Sequence, residues 1–567
     1  MIEYFIIHIG YEQVYGKKLP LDEAVLRLKR YPLLSLLEIL ARMDAALSLS
    51  SLDEFAQGHR LLLREILTPD QRSDIARFRA IYRTKQGSRP ELILFHELQI
   101  LNATKLALEY CDDEAESPAN SWRPLVEALL ILNDHLIPAG IWRGDYNDLG
   151  KDEQTEGFIR YMVPNMVFHR GSRLLNLISR WYDLFFVDAP YLSRRPDYID
   201  LPAELGKVIS LDSKLFYRIG SAFFTHWMKP TISYWNPVLN LTTWFRDFDI
   251  EPREYEPVLG QLALTRDQLK EQFRERGGWE PYFFLPIQAK PFLRINDVLL
   301  CLSRRFAAEK IASGLYHLLL TKLPTSGERD RFLTFFGFVF ESYVNRLLER
   351  AFPSTSLATR YFPNVKDPKT GNEITDAILD YGDALVLIEA KSTLFSLPGL
   401  VSGDPQVLRQ KFQDIVYDAA EQLDKAVKAV NTGALSTLGI TPDRIKFYYP
   451  LVVTLQFFPL EPITYRRLEE TIAARGLLRG PGIAPLQMAY IEDLERMETA
   501  MATGRAVADL LRVKVTDKRL KVLSFGNFLL EHVPQIVNRH NHYLEERFAA
   551  IRDELLAFFK SRQKTMR

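Results

Sequence analysis

Cysteine is nearly missing: the chain has two, Cys111 and Cys301, in 567 residues. Neither belongs to a CxxC or Cys/His pattern, which excludes a disulfide framework and a structural zinc site and fits a reducing cytoplasm. An excess of one charge is also missing. Lys and Arg number 72 and Asp and Glu 72, a net charge of zero at pH 7, so no global field draws the protein to nucleic acid or to an anionic membrane. Any basic binding surface must be local. Long apolar runs are lacking too, since FLTFFGFVF at 332–340 reaches only about half of the roughly 20 residues a membrane helix needs. The opening MIEYFIIHIGYEQVYG has no basic n-region and no cleavage site. The expectation is a soluble, cytoplasmic protein with no membrane partner. No G-x-x-x-x-G-K-[ST] occurs, so ATP-driven translocation would need a separate subunit. With 47% hydrophobic and 25% charged residues, 28 Gly and 31 Pro, the composition is that of a folded chain. At roughly 150 residues per domain its length predicts more than one core.

Apolar residues recur at three- and four-residue spacing from about 20 to 320, as in RPLVEALLILNDHLI, which predicts a mostly α-helical region. PIQAKPFLRINDVLLCL (286–302) is an exception and reads as a short strand pair. The polar KLPTSGERD at 322–330 reads as a boundary. Beyond it a helix at about 331–351 is followed by strand-like runs at 358–364, 373–379 and 384–391. A long helix at about 405–431, capped by Asp404 with Pro405 in its first turn, precedes buried strands at 446–458 and 485–491. Interleaved strands and helices predict a mixed α/β sheet. The expected domains are 1–325, mostly α-helical; 326–495, α/β; and 496–567, a helical extension.

The chemistry concentrates in NEITDAILDYGDALVLIEAKS, 372–392. Tyr381-Gly382 between Asp380 and Asp383 suits a two-residue hairpin turn, which sets Asp376 opposite Leu387 and makes Glu389 its diagonal neighbour. Lys391 shares that face, because side chains alternate along a strand, while Ala377, Leu379, Val386, Ile388 and Ala390 form an apolar opposite face. Asp380 and Asp383 read as turn residues. The two carboxylates leave room for Mg²⁺ or Mn²⁺, and Lys391 beside them suits activation of water and balance of negative charge in phosphodiester hydrolysis.

This pattern resembles the PD-(D/E)XK, or restriction-endonuclease-like, nuclease superfamily, whose signature is an Asp followed across a hairpin by Glu/Asp-x-Lys. Asp376, Glu389 and Lys391 fall on it, with Thr375 where the superfamily often has Pro. The resemblance implies an acidic residue on the preceding helix, offered by Glu341 within the stripe Phe336, Phe340, Tyr343, Val344 and Leu347, with Gly337 permitting close approach one turn earlier. It also implies a Gln on the following helix, which Gln413 offers in Gln413-Asp-Ile-Val-Tyr417, with Gln422 a competing candidate. The resemblance covers about 330–455, or to 495 at most. It implies a restriction-endonuclease-like mixed-sheet domain that cuts DNA with Mg²⁺ or Mn²⁺, held by Asp376, Glu389 and Glu341. The helical first 325 residues are then left for recognition, for forming a homo-oligomer or for docking a partner protein, as in prokaryotic defence and restriction systems.

Other readings stay open. A nuclease fold can be kept for shape in a binding or scaffold subunit, and RNA is an alternative substrate. Arg77, Arg79, Arg83, Lys85 and Arg89, interleaved with Phe78 and Tyr82, read as a solvated helix face more readily than as a phosphate-binding strip. His540 and His542 read as helix-surface residues, and the closing KSRQKTMR as a frayed end.

Overall fold

The computed structural model describes residues 7–47, 52–86, 92–115, 121–136, 174–227, 237–275, 280–352, 359–394, 410–411, 413–457, 462–501, 505–533 and 541–564. The chain is multidomain and combines α-helical with α/β architecture. Two compact units emerge: Met1–Trp181 with Pro202–Lys322 and Phe548–Arg567, and Tyr182–Leu201 with Leu323–Arg547. Among the described residues no helix is long and apolar enough to cross a membrane.

The first unit is mostly helical. Its helices Glu97–Tyr110 and Arg123–Leu136 bury residues all round, including Leu98, Leu101, Leu129 and Ile131, because each is apolar on more than one face. The strand pair expected in 286–302 is present as Phe292–Ile295 antiparallel to Val298–Cys301. Asn296 turns between them at φ 52°, a left-handed conformation that Asn tolerates. Val238–Asn240 and Ala263–Leu264 complete a mixed four-stranded sheet. Within the C-terminal stretch expected to fray, residues 562–564 are paired: Arg562 O accepts from Asp249 N at 2.6 Å and Lys564 N donates to Asp247 O at 3.0 Å. Backbone pairing there outweighs the fraying that the run of basic side chains suggests.

The second unit carries the α/β part. Helix α1 (Ser326–Ala351) begins at Thr325, whose hydroxyl accepts from Glu328 N at 3.2 Å while the Glu328 carboxylate accepts from Thr325 N at 3.1 Å. This capping box turns part of the polar boundary segment into an exposed first turn. Farther along, Phe332, Phe335, Phe336, Val339, Phe340, Tyr343, Val344 and Leu347 form its buried stripe. Strands β1 (Arg360–Lys366), β2 (Glu373–Asp380) and β3 (Ala384–Lys391) form an antiparallel meander. Helix α2 (Asp418–Asn431) precedes β4 (Phe447–Thr454), which lies parallel to β3 and to β5 (Gln487–Tyr490). The order is β5-β4-β3-β2-β1. In β3 both faces are covered, with Leu385 to Ile388 all at 0% exposure, as its nearly unbroken apolar run requires. Asp404 and Pro405 lie outside the described residues.

Candidate functional site

The hairpin between β2 and β3 sets the site, and its turn lies one residue later than the sequence suggests. Tyr381 N bonds to Ala384 O at 2.9 Å, so Gly382 and Asp383 make the turn. Gly382, at φ 91°, takes the first central position, which only glycine fills readily in this turn type. Register follows: Ala377 pairs with Ile388, and the same register carried one step further would set Asp376 opposite Glu389 instead of diagonal to it. The difference is two residues, an even number, so every side chain keeps its expected face.

Beyond Ala377–Ile388 the ladder between β2 and β3 stops and side chains take over. Asp376 Oδ2 accepts from Ala390 N at 2.6 Å, and Thr375 Oγ1 donates to Ile388 O at 2.8 Å. The paired register ends there: the Asp376 carboxylate satisfies the Ala390 N–H that a continued ladder would have bonded, and the Thr375 hydroxyl adds a bond to the carbonyl of the last paired residue. On the other side of β2 a bulge intervenes: Val365 pairs with Thr375 but Lys366 with Glu373, so two steps along β2 match one along β1. An extra residue reverses the alternation and re-aims the side chains beyond it. Glu373, three positions from Asp376, would face away in a regular strand. Here one carboxylate oxygen from each of Glu341, Glu373 and Asp376 lies within 4.8 Å of the others. Sequence reasoning missed Glu373, because a bulge leaves no mark in the pattern of apolar residues.

Glu389 and Lys391 lie beside this cluster. Lys391 Nζ donates to Glu389 Oε2 at 3.2 Å and to Gln422 Oε1 of α2. It is Gln422, then, and not the favoured Gln413, that reaches the lysine. The Gln413 amide instead donates to Asp418 at 3.2 Å and accepts from Arg475 at 2.7 Å, and Arg475 covers the Tyr417 ring at 4.2 Å. A π-helical turn over Gln413–Tyr417 leads into α2; its wider pitch shifts the helical phase on which an i, i+4 reading relies.

Asp376 is 5% and Glu389 3% exposed. Burial, then the Glu389 and Glu341 carboxylates, push the Asp376 pKa up to about 9. Burial and Glu373 raise that of Glu341 to about 7, against the pull of Lys391. Glu389 is raised by burial as well, opposed by Lys391 and by the Thr375 hydroxyl. Such a group either holds protons or takes a cation. The donor set is all carboxylate oxygen, hard ligands that suit Mg²⁺ or Mn²⁺ and not a thiophilic metal.

Gly337 is not needed for close approach. A Cβ placed there would meet only Ser392 Oγ, at 3.8 Å, an ordinary contact. Gly337→Ala is therefore expected to stabilise the protein by about 0.5–1 kcal/mol, through lower entropy of the unfolded chain. A thermal melt of the variant checks this, and a lowered Tm would show that the helix needs the gap.

Elsewhere, Arg77 is held by Asp74 at 3.0 Å on an exposed helix face, and the side chains of Arg83, Lys85 and Arg89 lie outside the described residues. His542 is exposed and lies 3.4 Å from Glu546, while His540 is outside the described residues. No protein family and no curated protein matches the chain. Among solved structures it is similar to the small subunit of the heterodimeric restriction endonuclease R.BspD6I, at 13% identity over 40% of this chain and 89% of that one, with a TM-score of 0.17. A superposition at that level does not establish a shared fold.

Proposed function

We propose that the second unit hydrolyses phosphodiester bonds, with DNA as substrate and a divalent cation held between α1 and strands β2 and β3. The observation that carries this reading is the convergence of the Glu341, Glu373 and Asp376 carboxylates within 4.8 Å, with Glu389 and Lys391 at its edge. A bound Mg²⁺ or Mn²⁺ would lower the pKa of a coordinated water and polarise a phosphoryl oxygen. Asp376, Glu341 and Glu373 would hold the ion, and Glu389, opposite Asp376, would complete the acidic wall. Lys391 is oriented by Glu389 and Gln422, which leaves its ammonium able to hold the attacking water and to offset charge developing on phosphorus. Gln422 acts through Lys391 as a positioning residue.

The net charge of zero bears on affinity, because non-specific nucleic-acid binding is chiefly electrostatic. Endonucleolytic action in a prokaryotic defence system, assisted by a homo-oligomer or a partner protein at the helical region, fits such a chain. The test is incubation of the purified protein with plasmid, linear duplex, single-stranded DNA and RNA, each with Mg²⁺, Mn²⁺ or EDTA. Expected is DNA cleavage with either metal and none in EDTA. Cleavage of RNA alone would overturn the substrate, and equal cleavage in EDTA would overturn the metal site. Stoichiometric DNA binding without cleavage would favour a scaffold subunit.

A further inference from the structure

Within the second unit a short segment lies along one line of α1. Asp188, at the end of a π-helical turn (Leu184–Asp188), accepts from Ser342 Oγ at 3.2 Å and from Arg346 Nη2 at 2.6 Å. Tyr198 meets the Phe335 ring edge-on at 5.6 Å, and its carbonyl accepts from Arg331 Nη2 at 3.1 Å. Between these anchors Arg195 lays its guanidinium on the Phe338 ring, 3.4 Å from the centroid. Positions 331, 335, 338, 342 and 346 recur at helical spacing and so form one line down α1. Glu341 of the acidic cluster comes three residues after Phe338, a neighbour on the helix surface of the ring that carries the guanidinium.

Arg195 is fixed from several directions. Its backbone N–H donates to Leu192 O at 3.0 Å, and its carbonyl accepts from Tyr198 N at 3.2 Å. Asp197 grips the guanidinium through Nε at 2.9 Å and Nη2 at 3.2 Å. That partner lies two residues away in the same turn, so the pair fastens nothing to α1; its effect is to fix the guanidinium plane. Among the described residues the guanidinium bonds to no other group, and the side chain is 36% exposed. The bond with Arg195, and also the charge of Arg331, lower the Asp197 pKa, so one carboxylate faces two guanidinium groups and a positive charge is left over. Burial raises the Glu341 pKa, and Arg195 is a cation, with Lys391, whose charge opposes that rise.

We propose that Arg195 binds a backbone phosphate of the DNA that enters the acidic site, an inference that rests on the hydrolysis proposed above. Arginine presents a planar fork that matches two phosphate oxygens, and a guanidinium already held by a ring and a carboxylate loses little freedom when it binds. With a net charge of zero the chain must find its affinity for DNA in local cations. Arg195 supplies one beside carboxylates that repel a phosphate when no metal is bound.

The experiment measures binding of a fluorescently labelled DNA duplex to the full chain by anisotropy, in EDTA and in Ca²⁺, over a range of KCl concentrations, for wild type, Arg195→Gln and Arg195→Lys. Expected is binding by wild type that Arg195→Gln weakens about tenfold, with the slope of log K against log[KCl] shallower by about 1. Arg195→Lys should keep the slope, since the charge stays, but not the full affinity, since the fork and its stacking are lost. A residue that only held the fold would leave the slope unmoved. Unchanged affinity and slope in Arg195→Gln would overturn the proposal, as would a wild type that binds no duplex under either condition. Duplex binding that Arg195→Gln weakens, in a chain that cuts no DNA with Mg²⁺ or Mn²⁺, would support the phosphate contact and overturn the hydrolysis. Should Arg195→Gln fail to fold, Arg195→Lys decides through its affinity, and an undiminished value would overturn the proposal.

Discussion

Asp376→Asn is expected to lower metal-dependent cleavage by at least about 10²-fold while raising the Tm of the metal-free protein at pH 8. The two effects share one cause. Asn keeps an oxygen that can accept the Ala390 N–H, so the strands stay joined there as they are by Asp376 Oδ2 at 2.6 Å. What it removes is a carboxylate that burial and two acidic neighbours hold protonated up to about pH 9. In the unfolded chain the same group ionises near pH 4. Between those values the folded state binds the extra proton, so stability without metal falls as pH rises through this window. The variant should flatten that slope. In wild type a divalent cation displaces the proton, and its stabilisation should therefore grow from pH 6 to pH 8. Melts at both pH values, in EDTA and in Mg²⁺, check the prediction. Equal melting of variant and wild type in EDTA at pH 8 would mean that Asp376 is ionised and solvated, and the site would lose its strongest physical mark. Lys391→Ala is a poorer probe. It strips a donor from Glu389, which is 3% exposed, and should cost about 1–3 kcal/mol of stability besides activity.

The contrast between Glu389 and Glu373 shows how far the sequence can be read. Asp376, Glu389 and Lys391 were visible because strand alternation is local, and the two-residue error in register left their faces unchanged. The turn itself was legible in principle, since Gly at the first central position is a hairpin signature. Glu373 was not legible, because its direction depends on a bulge set by β1, whose pairing residues lie across a loop. Choosing between Gln413 and Gln422 needed the phase of a helix entered through a π turn. The helical character of the described part of the first 300 residues follows from periodicity. The pairing of residues 562–564 with 247–249 joins positions far apart in the chain, and no local pattern announces it.

Asp380 shows the same limit with a larger consequence for stability. As a turn residue it behaves as expected, its Oδ1 accepting from Gly382 N at 3.0 Å. Its Oδ2 also meets Arg360 of β1 and Arg444, both at 2.7 Å, and the residue is 1% exposed. Arg360 in turn donates to the Leu438 and Gly439 carbonyls at 3.0 and 3.1 Å. One carboxylate therefore ties the hairpin to the neighbouring strand and to the segment that leads into β4. Asp380→Ala leaves two guanidinium groups facing each other across a vacated site, and the loss should be about 3–5 kcal/mol. Asp380→Asn keeps a single acceptor oxygen, enough for the turn bond, but no charge, and should lose less. Amide hydrogen exchange over 360–391 reads the effect where it arises. Protection of β2 and β3 should fall by about 10²-fold or more in the alanine variant, since each 1.4 kcal/mol is tenfold. Unchanged protection would mean that the arginines find carbonyl partners once the carboxylate is gone, and that strand packing alone holds the sheet that carries the acidic cluster.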